Sequence, residues 1–148
     1  MARHNYFNRG DAYSEWHRNI QDDTFKMIDL DCCEYSMCPK CGMKNIHFIA
    51  ETCRFKGSTY KNTEMTRLMA QRMRVSAYLI FYYYENGQNP ASQSQIHEIG
   101  YDPYLMLKIA KIDHLRANTG YVFRDFTDAE WVSYLKKLRT TKKCEYCG

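Results

Sequence analysis

The chain is 148 residues long, 45% hydrophobic and 15% aromatic, with seven cysteines and a net charge of +4. That length suits one domain around a single core, and that composition is that of a chain that folds; no internal repeat is present. The longest apolar run, Ala77 to Tyr84, is too short to span a bilayer, so no membrane contact is expected. No signal-peptide pattern follows Met1, and Cys32, Cys33 and Cys53 are spare thiols that a reducing compartment suits, so the expected location is the cytoplasm.

In chain order, Tyr13, Trp16 and Ile20 recur on one face of a predicted helix over residues 11 to 20, with Glu15 and His17 beside that stripe. Residues 25 to 35 alternate as a strand, which puts Asp29, Asp31, Cys33 and Tyr35 on one face and Ile28, Leu30, Cys32 and Glu34 on the other. Cys38-Pro-Lys-Cys41-Gly then stands where a hairpin turns, and residues 46 to 55 return as a second strand with His47, Ile49, Glu51, Cys53 and Phe55 on one side. Residues 63 to 74 repeat Met65, Leu68, Met69 and Met73 at helical spacing, with Asn62 or Thr63 as cap, and these apolar residues are expected to face the core. Residues 76 to 84 have the length and composition of a strand buried on both faces after a crossover helix.

Residues 85 to 95 read as a surface loop, and residues 105 to 112 as another strand. Thr127-Asp-Ala-Glu130 is a capping box, with Phe126 and Trp131 placed as a hydrophobic staple, opening a final helix. Its residues Trp131, Leu135 and Leu138 face inward while Lys136, Lys137 and Arg139 face out. The expectation is a single domain over residues 1 to 148, with a core over about 11 to 113 and a C-terminal helix and cysteine knuckle over about 127 to 148. The fold class is α/β in the mixed, α+β sense: a small mixed sheet flanked by helices.

Cys144-Glu-Tyr-Cys147-Gly closes the chain as a second knuckle, and two Cys-x-x-Cys pairs supply the four thiolates of a structural zinc site. Cys38, Cys41, Cys144 and Cys147 are the expected ligands, joining the hairpin tip to the C-terminus. The rival is a redox pair, since Cys-Pro-Lys-Cys is similar to the glutaredoxin motif; that motif opens an amphipathic helix, whereas Gly42 and a strand follow here.

The remaining pattern lies in the acids. A helix bearing Glu15, a strand bearing Asp29 and Asp31, a second strand bearing Glu51, a crossover helix and a buried strand, over roughly residues 11 to 85, resembles the PD-(D/E)XK (restriction-endonuclease-like) nuclease superfamily. The resemblance implies a restriction-endonuclease-like core in which Asp31 or Asp29, Glu51 and Glu15 hold magnesium or manganese for hydrolysis of a DNA or RNA phosphodiester. Arg54, Lys56, Arg67 and Arg72, with the basic group Lys136, Lys137, Arg139, Lys142 and Lys143, are the expected phosphate contacts. The chain departs from the family where its motif lysine belongs, because Cys53 stands there; Lys26 and Lys56 are the nearby replacements.

Two other readings of the same residues stand beside this one. Asp29 and Asp31 can be edge-strand charges or partners of Arg54 and Arg67, and the basic runs can be solvated faces. A nuclease-like scaffold that has lost the lysine can serve as a catalytically inactive binding module for nucleic acid or a protein partner, such as a phage factor that obstructs a host defence complex from within the host cytoplasm.

Overall fold

The computed structural model describes residues 31 to 112 and 120 to 148. The helix expected over 11 to 20, with Glu15, and the first part of the strand expected from 25, with Asp29, lie outside the described residues.

Strands β1 (Cys32–Met37), β2 (Lys44–Arg54), β3 (Ser76–Tyr84), β4 (Leu105–Lys111) and β5 (Arg124–Thr127) form one five-stranded sheet in sequential order. All neighbours are antiparallel except β2 and β3, which run parallel. Helix α1 (Glu64–Met73) makes that parallel step possible, since a parallel connection must carry the chain back along the sheet. Helix α2 (Gln93–Ile99) precedes β4, and α3 (Asp128–Thr141) follows β5 directly. The result is the mixed α/β fold expected from the sequence.

Both faces of the sheet are covered, which is why β3 is apolar throughout. Ile49, Ala77, Leu79 and Phe81 pack with Ala70 of α1 on one face. Phe48, Ala50, Ile80, Leu107 and Ile109 form the other cluster, closed by Trp131, Leu135 and Leu138 of α3. The α3 start is as the sequence predicts: Thr127 accepts from the Glu130 backbone N–H at 3.2 Å while Glu130 accepts from the Thr127 N–H at 3.3 Å, and the Phe126 and Trp131 rings lie 5.8 Å apart.

Three local expectations change. Residues 93 to 95, expected in a surface loop, are the first turn of α2, where Ser92 caps Gln95 N–H at 3.1 Å. The buried residues of α1 are Thr66 and Ala70; of the apolar residues expected at the core, Met69 packs against it as expected, whereas Met65 is 48% exposed and Leu68 and Met73 are also exposed, because the stripe packed on the sheet is offset from them. The third change is a β-bulge. The register steps from Glu34↔Phe48 to Tyr35↔Ile46, so His47 is the extra residue of β2. Its ring bonds Ser36 Oγ at 2.7 Å and faces the charges of Lys142 and Arg139, so it leaves the Glu51 face on which alternation placed it.

Candidate metal centre and acidic cleft

The β1–β2 turn is shaped by its own backbone. Gly42 N–H donates to Cys38 O at 2.8 Å and Cys38 N–H to Met43 O at 2.9 Å, and Gly42 holds a φ of +74° that suits glycine. The turn presents Cys38 and Cys41 to the chain leaving α3. Cys38 Sγ lies 3.6 Å from Cys147 Sγ and Cys41 Sγ 3.7 Å from Cys144 Sγ, and all four sulfurs are within 4.8 Å of one another. Tetrahedral zinc with Zn–S bonds of about 2.3 Å sets its sulfurs about 3.8 Å apart, so this cluster can hold a metal ion such as zinc. No other group of histidines, cysteines and acids among the described residues meets the same geometric requirement.

The bulge contributes to this site. With parity shifted by one residue, Asn45 points toward the knuckles, 5% exposed, and its Nδ2 donates to Cys144 Sγ at 3.5 Å while its Oδ1 accepts from Glu145 N–H at 2.9 Å. Together with the Tyr146 N–H, 3.4 Å from the same sulfur, Asn45 holds the Cys144 thiol down to about 6. Backbone N–H groups of Cys41 and Lys40 lower Cys38, whereas Cys147, facing Cys38, Cys41 and Cys144, is pushed up to about 12. Four thiolates at this spacing repel one another, and a bound dication is the species that lets all four ionise. Lys142 Nζ donates to Ile46 O and lies 3.5 Å from Glu145, and Arg139 pairs with Glu34 at 2.8 Å, so two of the basic residues expected at phosphates brace the C-terminus against the hairpin. Lys136, Lys137 and Lys143 are exposed.

On the α1 face of the sheet a second site forms. The register that pairs Cys32 with Ala50 sets Asp31 opposite Glu51. Asp31 Oδ2 accepts from Thr52 N–H at 3.0 Å, which anchors its carboxylate beside β2. Glu51 is 7% exposed and accepts a 2.6 Å hydrogen bond from Thr66 Oγ of α1. Burial pushes the Glu51 carboxyl above its ordinary value and the Asp31 charge adds to the rise, while the Thr66 hydrogen bond and the Lys61 ammonium oppose it.

Asp31, Glu51, Lys61, Asn62, Glu64, Met65 and Thr66 line one cleft of about 490 Å³ at the start of α1. Two of the four acids expected from the sequence therefore converge, Asp31 and Glu51; Glu15 and Asp29 lie outside the described residues. A pair of acids in a half-closed cleft, one of them with a raised pKa, has the donor chemistry for a hard divalent cation such as magnesium or manganese.

Lys61 and Thr66 are the residues sequence reasoning missed. Lys61 sits in the segment between β2 and α1, whose path no periodicity reveals; its nearness in sequence to the helix that follows the acid strand was the available signal. Cys53, at the motif-lysine position, packs against the α1-side cluster, and its thiol donates to Arg54 O at 3.6 Å. Arg54, Lys56 and Arg72 are exposed and Arg67 is half-buried. No described helix is long and apolar enough to cross a membrane. No protein-family model, curated protein or solved structure matches the chain.

Proposed function

We propose that this protein is a metal-dependent nuclease of the restriction-endonuclease-like kind, acting on DNA or RNA, with a structural zinc clasp. The observation that carries the reading is the convergence of Asp31, Glu51 and Lys61 in one cleft on the strand, helix, strand unit. Asp31 and Glu51 would hold magnesium or manganese, which when bound activates water and offsets charge on a phosphodiester. Asp31 is held by Thr52 N–H and Glu51 by Thr66, so both carboxylates are oriented before a cation arrives. Lys61 supplies, from the segment before α1, the ammonium that Cys53 cannot, and its charge beside Glu51 favours the ionised carboxylate. In that place it can orient the attacking water and draw the anionic phosphate into the cleft.

The clasp is read as zinc from its all-thiolate donor set and closed shell, which leaves no position for water. Its role is to hold β1 and β2 together at the end remote from Asp31 and Glu51.

The test is hydrolysis of plasmid DNA and of a labelled RNA by purified protein with manganese. Glu51→Gln and Asp31→Asn should abolish cleavage, and Lys61→Gln should reduce it by at least 10²-fold, the usual size of a general acid–base contribution. Cleavage that survives both acid substitutions rules the nuclease out. Salt-sensitive binding of nucleic acid without cleavage would favour the inactive binding module, and retention of a protein partner with indifference to nucleic acid would favour the inhibitory factor.

A further inference from the structure

A larger cleft lies on the far side of α1 from the acids. Its volume is about 620 Å³, and it runs between the second half of α1, the start of β3 and the end of β4, with Arg67, Arg74, Lys111 and Tyr121 on its walls. None of these cations forms an ion pair with a described residue, whereas Lys108, Arg139 and Lys142 elsewhere on the surface do. No acid among the described residues lines the cleft. Three positive charges around one concavity, with no described acid to balance them, form an electrostatic trap for a polyanion.

Arg74 adds an independent observation. It caps α1 with φ of 58° and ψ of 41°, the left-handed conformation that glycine adopts at no steric cost and a long side chain occupies rarely. An arginine there gives up stability that glycine would supply. Arg74 lines the cleft together with Lys111.

We propose that this cleft binds the phosphodiester backbone of a single nucleic-acid strand, with Arg67, Arg74 and Lys111 on phosphates. The volume has room for a short piece of one strand and not for a duplex. Helix α1 lines both clefts, and the rise from Glu64 to Arg74 is about 15 Å, so a strand held here can continue toward the acids. The proposal deepens the nuclease reading by naming the substrate form, yet binding needs no cleavage, so each can fail without the other.

The experiment is fluorescence anisotropy with a labelled 12-nucleotide oligo-dT and the matching oligo-U, in zinc-replete buffer without added magnesium or manganese, across a salt series. Wild type and Glu98→Gln, an exposed substitution on α2, should bind alike. Arg74→Gln and Lys111→Gln should each weaken binding and lower the salt slope by about 0.7, the value per phosphate contact on a single strand. Arg74→Gly should weaken binding equally while raising the denaturation midpoint, a combination that a purely structural arginine would not give. The proposal is overturned if wild type does not bind, if these variants keep its affinity and slope, or if a 12-base-pair duplex or polyglutamate binds as tightly with the same dependence on Arg74 and Lys111. Loss of cleavage in Glu51→Gln alongside unchanged binding in Arg74→Gln would retain the nuclease and reject the cleft.

Discussion

Thr66 on α1 donates a 2.6 Å hydrogen bond to Oε1 of Glu51 on β2, and both residues are buried, at 1% and 7% exposure. The contact ties the crossover helix to the acid strand at the mouth of the acidic cleft. It also explains why a threonine occupies a position that helical periodicity would fill with a larger apolar residue. A carboxylate taken out of water needs a donor, and the helix supplies one.

Thr66→Val preserves the shape of that side chain and removes the donor. The buried carboxylate then loses a charge-assisted hydrogen bond, and stability should fall by about 1.5 to 3 kcal/mol. Urea denaturation checks this, with the midpoint lowered and the slope unchanged.

Glu51 makes stability fall as pH rises. Its folded pKa lies above the ordinary 4.5, so between the unfolded and folded values the native state binds more protons than the unfolded chain, and stability is lost on going up through that window. Glu51→Gln keeps an acceptor for Thr66 and removes the charge. It should raise Tm at pH 7 without divalent cation, flatten the slope just above pH 4.5, and abolish any stabilisation by added manganese.

His47 acts in the opposite direction. Burial and the nearby Lys142 hold its pKa below the ordinary 6.5, so it is neutral in the fold, while the unfolded chain takes up a proton as pH falls below 6.5. Its contribution is complete above pH 6.5 and is lost as pH falls through the lowered folded value. His47→Gln should flatten the fall of stability on acidification just below pH 6.5, measured as Tm against pH.

Removing the metal should release the C-terminus before it disturbs the sheet centre. Structural zinc of this type contributes on the order of 10 kcal/mol in small domains. Chelation should therefore expose residues 142 to 148 and the β1–β2 turn to protease, and re-addition of zinc should reverse it. Cys147→Ser should bring metal content measured by mass spectrometry close to zero.

Asn45→Ala leaves the four thiols in place but removes the link between the knuckles. Metal affinity should fall about 10- to 100-fold, as for other losses of outer-shell partners, with stoichiometry unchanged at saturating zinc. Competition against a chromophoric chelator reads this directly.

The two Cys-x-x-Cys pairs, the β3 segment, the capping box at Thr127 and the last helix were legible in the sequence, because each rests on local chemistry: ligand spacing, apolar runs and cap residues. Strand parity put Asp29 and Asp31 on one face and left open which of them meets Glu51; the register of β1 on β2 decided for Asp31. The tertiary structure alone also decided where that parity breaks. One extra residue at His47 turns Asn45 toward the cysteines, and no propensity marks it, because a bulge is set by the pairing of two strands. The same holds for Thr66 in place of Met65, Leu68 and Met73 in the buried stripe of α1, and for Lys61 beside Glu51 rather than Lys56. Packing a helix against a sheet selects its own contact face, and a segment without periodicity takes its path from the elements it joins.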